Sequence, residues 1–216
     1  MAMKFFRAAN LPAPMANYSQ EQFRQLVRSL ELYFSQLDSQ TPITAEYFQG
    51  HGEYIINPCG LFYDTTTQTL ATADTSTPVE FGITYISHDI TVEGANNSQI
   101  TVAKSGIYNF QFTATIESTN SSAKDVYIWL NRDGTDIGYS ARPYTISGSG
   151  TERSFTYNFS IDLQAGQYIE LEWASPDTTV SLAAKAASAP YPEVASTVLA
   201  VSFVSSLEDV TVGTIP

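Results

Sequence analysis

Glu170 and Glu172 stand two residues apart in a strand-like run, so both carboxylates face one side. A glycosidase needs two carboxylates flanking one bond. The same pair on the polar face of a strand also serves as a solvated, edge-protecting pair, and the surrounding alternation fits this second reading. His51 and His88 are the only histidines and fall in different segments. A zinc centre would need further ligands beside them, so no metal site is expected. Asp133 and Asp136 lack the series of oxygen ligands a calcium loop requires and read as turn chemistry. Trp129 and Trp173 could stack on sugars, but both lie in dense strand patterns, so core packing is expected. No Gly-x-Ser-x-Gly elbow, P-loop or dinucleotide fingerprint occurs. The expectation is a protein that is not an enzyme and carries no cofactor.

The elements around these residues are mostly strands. Tyr108, Phe110, Phe112, Ala114 and Ile116 alternate with Asn109, Gln111, Thr113 and Thr115. Phe155, Tyr157, Phe159, Ile161 and Leu163 repeat the pattern, as do Ile169, Leu171 and Trp173. A period of two over many short segments predicts antiparallel sheets, each with one buried face. Val126 to Leu130 is apolar at every position, which predicts a central strand buried on both faces. Leu199, Val201 and Phe203 form the last strand. Asp133-Gly134 suits a hairpin turn with positive φ, and Gln164-Ala165-Gly166 also precedes a strand. No repeat of fixed period is present, which argues against propellers and solenoids.

One helix precedes the strands. Ser19 with Gln22 three residues on forms a capping box. Phe23, Leu26, Leu30, Tyr33 and Leu37 then recur at alternating spacings of three and four, the seam pattern of a coiled coil. Pro42 prevents continuation. A helix this short needs a partner for its stripe. Two readings stand: the helix packs on its own β-domain, or it forms an intersubunit bundle. Before it, residues 1–18 carry Pro12 and Pro14 and read as an extended arm with Phe5, Phe6 and Leu11 as apolar pegs. The predicted organisation is an arm at 1–18, a helix at 19–40, a connecting segment with first strands at 41–78, a β-head at 79–207 and a tail at 208–216.

The 216 residues are 43% hydrophobic and 15% charged, with a net charge of −12. There is ample apolar side chain for a core. The acidity argues against nucleic-acid binding, which needs Lys and Arg to displace counterions, and against docking on anionic lipid. Cys59 is the sole cysteine, so no intrachain disulfide forms. No window approaches a membrane span, and no signal-peptide core follows the basic N-terminal residues. Synthesis in a cytoplasm and release on a particle are expected rather than secretion.

Three segments carry a resemblance. Ile100 to Phe112 is similar to the I-x-V-x-x-x-G-x-Y-x-F strand pair of jelly rolls of the tumour necrosis factor and complement globular-head type. Asp125 to Gly134 resembles the hairpin that follows in that family, and Leu163 to Leu171 resembles its L-x-A-G-D-Y-I-E-L element. With the helix ahead of it, the chain resembles virion proteins of tailed bacteriophages, over most of residues 15–207. The resemblance implies an all-β, antiparallel jelly-roll sandwich and a homotrimer with a helical stalk. It further implies a structural or adhesive role on a phage particle. Two settings follow. In the first, a capsid decoration or head-fibre protein contacts other virion proteins through the N-terminal arm. In the second, a short tail fibre recognises a host surface glycan or protein through head loops carrying Tyr144 and Tyr191.

Overall fold

The computed structural model describes residues 19–37 and 57–207. The chain divides into two units, Met1–Tyr54 and Ile55–Pro216. In the first, α1 spans Gln20–Leu37 and follows directly on Ser19. The Phe23 amide donates to the Ser19 carbonyl at 3.2 Å, closing the first turn. Glu21 lies in that turn, where the helix dipole favours negative charge.

The second unit is an antiparallel jelly-roll β-sandwich. Among the described residues its strands are β1 (Cys59–Asp64), β2 (Gln68–Thr69), β3 (Thr77–Pro78), β4 (Ile83–His88), β5 (Ile90–Glu93), β6 (Gln99–Val102) and β7 (Gly106–Ser118). They continue as β8 (Lys124–Arg132), β9 (Thr135–Asp136), β10 (Arg142–Ile146), β11 (Thr151–Leu163), β12 (Tyr168–Ala174), β13 (Val180–Leu182) and β14 (Thr197–Ser205). In the first sheet, β7 pairs β11 along one edge and β14, then β13, along the other; β1 and β4 follow beyond β14, and β2 beyond β13. The second sheet runs β10-β8-β12-β6-β5, with β9 on β8 and β3 on β12. The long strands β7, β8, β11 and β12 therefore alternate between sheets, and each crossing closes the core.

The predicted alternation is the observed one. Tyr108, Phe110, Phe112, Ala114 and Ile116 are buried, as are Ile169, Leu171 and Trp173 from the facing sheet. Burying each large side chain contributes about 1.5–3 kcal/mol. Phe110 stacks on Phe159 with ring centroids 4.9 Å apart, and Phe81 meets Phe112 edge-on at 6.3 Å. Asp133 (φ 50°) and Gly134 (φ 82°) form the two-residue turn between β8 and β9, as their sequence predicts.

Three expectations need correction. The head does not begin at 79: β1 lies inside the first sheet, between β14 and β4, so the sandwich reaches back to Cys59. Its end is pinned by Asp64, which accepts from the amides of Thr66 at 2.6 Å and Gly82 at 2.8 Å. Next, β8 is central but has only one buried face. Val126, Ile128 and Leu130 point inward, whereas Tyr127 is 41% exposed and Trp129 is half-buried on the outer face. Of the two tryptophans, only Trp173 is in the core. Finally, Tyr144 is not in a loop. It belongs to strand β10, and its ring packs edge-on against Phe155 at 5.8 Å.

Candidate functional site

The register of the first sheet assembles a surface from residues scattered over a hundred positions. Gly60, Phe62 and Asp64 of β1 face the core, which turns Cys59, Leu61 and Tyr63 outward. Pairing then fixes three rows across β11, β7, β14, β1 and β4. The first reads Thr156, Thr113, Val198, Tyr63, Ile83. The second reads Asn158, Gln111, Ala200, Leu61, Ile86. The third reads Ser160, Asn109, Ser202, Cys59, His88.

None of these positions holds Asp, Glu, Lys or Arg, on a chain of net charge −12. The half built from β14, β1 and β4 is apolar in its first two rows, with Ser202 and His88 in the third; the half from β7 and β11 carries hydroxyls and amides. Asn109 Nδ2 donates to Asn158 Oδ1 at 2.9 Å and Gln111 Nε2 to Asn109 Oδ1 at 3.3 Å, so part of the polar half is already ordered. At the sheet edge, β4 exposes Ile83 (36%), Tyr85 (69%) and Ile86 (48%). An apolar edge strand left open is a template for association. Depletion of charge at a broad face is the compositional mark of a protein–protein contact. His88 is the one histidine in these rows. Its Nε2 lies 3.4 Å from Asp89, whose carboxyl is held below its ordinary range chiefly by the hydrogen bond from Lys104, at 2.6 Å.

The other predicted residues fall in separate places. On α1, Leu26 and Leu30 are half-buried and Phe23 is 48% exposed. Tyr33 and Leu37 lie within the helix, but their side chains are outside the described residues, as are the arm residues Phe5, Phe6 and Leu11. Tyr191 is 73% exposed on a finger between β13 and β14. The finger is closed by backbone bridges Lys185–Val194 and Ser188–Tyr191. It flanks a cleft lined by Thr65, Thr67, Ala184, Lys185 and Glu193. Glu170 and Glu172 share the outer face of the second sheet, as expected, and each is held by a serine: Ser98 Oγ donates to Glu170 at 2.6 Å and Ser76 Oγ to Glu172 at 2.5 Å. Asp133 does serve the turn, accepting from the Tyr168 amide at 3.0 Å. Asp136 instead accepts from the side chains of Trp129 and Asn131. Among the described residues, no helix is long and apolar enough to cross a membrane.

No protein-family model matches the chain. No curated protein matches it either. Among solved structures, it is similar to the globular domain of zebrafish complement 1qA protein. The superposition spans 70% of this chain and 99% of that one, at 12% identity and a TM-score of 0.45.

Proposed function

We propose that this protein is a non-enzymatic, homotrimeric structural component of a tailed-bacteriophage particle, a capsid decoration or head-fibre protein. The observation that carries the assembly is the block of three rows on the outer face of the first sheet that holds no Asp, Glu, Lys or Arg. In a cyclic trimer each copy uses two different patches, and this face offers two: the apolar half at β14, β1 and β4, and the amide-rich half at β7 and β11. The setting on a phage rests on the sequence resemblance of helix and head together. In this reading, α1 is the trimeric stalk, with Phe23, Leu26, Leu30, Tyr33 and Leu37 along its seam. Residues 1–18 are the anchor, with Phe5, Phe6 and Leu11 entering apolar pockets on other virion proteins. The protein is made in the host cytoplasm and carried on the virion.

A second reading, a short tail fibre that binds a host surface glycan or protein, is favoured by the finger that presents Tyr191. One experiment separates the two: electron cryomicroscopy of intact particles carrying an epitope inserted at Ser149, an exposed position in the turn before β11. Label repeated over capsid threefolds supports the decoration role. Label confined to the tail overturns it in favour of the fibre, and absence from purified particles overturns both.

A further inference from the structure

The outer face of the second sheet has the opposite character. Its register places Asp136 of β9, Asn131 of β8 and Glu170 of β12 in one row. The next row holds Trp129, Glu172 and Pro78. Tyr127 follows Trp129 on the same side of β8. Glu172 is thus the cross-strand neighbour of Trp129, with Asp136 and Glu170 in the adjacent row, and the indole N–H donates to Asp136 Oδ1 at 2.9 Å, which fixes the plane of the ring.

The head's own cations are engaged elsewhere. Lys104 pairs with Asp89, Lys124 with Asp177, Arg132 with Asp162 and Lys185 with Glu152. Arg142 lies over the Tyr157 ring at 5.2 Å, and Arg153 donates to the Glu152 carbonyl. Asn131 lies in the same row as Asp136 and Glu170, beneath them. It is only 9% exposed and sits between Asp136 and Glu170. Its Nδ2 donates to Asp136 at 3.1 Å, while its Oδ1 has no donor among the described residues. The face therefore carries three carboxylates, each holding a neutral donor, and no positive charge. Burial pushes the Glu172 carboxyl above its ordinary value; the Ser76 hydrogen bond opposes this, and the charges of Glu170 and Asp136 add to it.

We propose that this face, centred on Trp129 and walled by Asp136, Glu170 and Glu172, docks an arginine-bearing segment of a partner protein. A guanidinium is planar, stacks on an indole and forks onto carboxylates, so one group uses every feature of the site. A metal ion fits less well. Among the described residues no three acidic, histidine or cysteine side chains converge to hold one, and the central aromatic ring is no ligand for it. The proposal is independent of the trimeric reading, since it uses the other sheet.

The test is titration of the full chain with a capped Gly-Arg-Gly-Arg-Gly peptide and its citrulline counterpart, followed by tryptophan fluorescence and calorimetry. The arginine peptide should bind and the citrulline peptide should not. Glu170→Gln with Glu172→Gln should weaken binding by about tenfold or more, the loss expected for two charge-assisted hydrogen bonds. Glu117→Gln with Glu193→Gln makes the same change in net charge elsewhere and should leave affinity within about twofold. Glu172→Gln should also raise the melting temperature at neutral pH, so weaker binding cannot come from unfolding. Equal losses in the two pairs would reduce the effect to overall charge and overturn the proposal. So would failure of the arginine peptide to bind, or calcium binding at these residues without peptide binding.

Discussion

Leu61 occupies the middle row of the uncharged face, with Ala200 on one side and Ile86 on the other. Replacing it with aspartate should dissociate the trimer without unfolding the head. In the isolated head Leu61 is only half-buried. The fold loses a cross-strand apolar contact and some strand propensity, about 1 kcal/mol. In the assembly the new carboxylate would be covered by a neighbour that presents no cation. An unpaired charge buried at an interface costs about 2–5 kcal/mol per contact. A closed ring contains three equivalent contacts, so the trimer loses roughly 6 kcal/mol or more, about four decades in the association constant. Sedimentation velocity should show trimer for the wild type and monomer for Leu61→Asp, with melting temperatures a few degrees apart. Ser149→Asp, in the exposed turn before β11, should remain trimeric. A Leu61→Asp protein that still sediments as a trimer would refute the assignment of this face, and a monomeric wild type would refute the trimer itself.

Other substitutions test separate parts of the molecule. Leu30→Asp places a charge in the helical seam and should weaken or break the trimer by sedimentation; an unchanged trimer would mean that α1 is not the stalk. Gly106→Ala should cost about 2–3 kcal/mol by denaturant unfolding, within the range for overpacking. A Cβ there would lie 2.3 Å from the Phe203 ring and 2.8 Å from the Ser205 carbonyl, and the carbonyl cannot step aside. The Lys124–Asp177 pair, at 2.6 Å, ties the loop after β12 to the start of β8. The Lys124 hydrogen bond, helped by Thr179, lowers the Asp177 carboxyl from 3.8 to about 2. A depressed carboxyl stabilises the fold above its unfolded value and loses that contribution as pH falls through the folded one. The melting-temperature deficit of Asp177→Asn should therefore be constant above about pH 4, shrink between 4 and 2, and vanish below. A deficit unchanged at pH 2 would contradict the ion-pair origin.

The inner faces of the sandwich are legible in the sequence because burial imposes a period of two on each strand separately. The pattern around Phe110 and the one around Ile169 can each be read without knowing where the strand pairs. The outer faces cannot be read this way. Leu61, Ala200, Gln111 and Asn158 share one row only through three pairings whose partners are far apart in sequence. No local signal announces them as one surface. Trp129 fails for a related reason. An apolar residue at every position from Val126 to Leu130 looks like burial on both sides, yet a central strand in a two-layer sandwich has only one core to face. Its sequence cannot distinguish a second core from an exposed aromatic site. Tyr144 lies on a strand although the proline before it, Pro143, is a residue type common in loops. In β10, an edge strand, a proline costs no ladder bond if its nitrogen faces outward.

The two outer faces are insulated by a single core, and that has a consequence for how the surfaces can change. Residues on β1 and β14 alternate between the uncharged face and the core; residues on β8 and β12 alternate between the core and the acidic face. No side chain belongs to both outer surfaces, so a charge placed on one is separated from the other by the full thickness of the sandwich, about 10 Å of packed apolar side chains. That spacing equals a Debye length at about 0.1 M salt, and the solvent path around the edge is longer still. Substitutions such as Leu61→Asp and Glu172→Gln should therefore act additively when combined. The double variant should be monomeric and defective in arginine-peptide binding, each to the same degree as the corresponding single variant. Loss of peptide binding on dissociation alone would instead show that the acidic face is completed by a neighbouring copy.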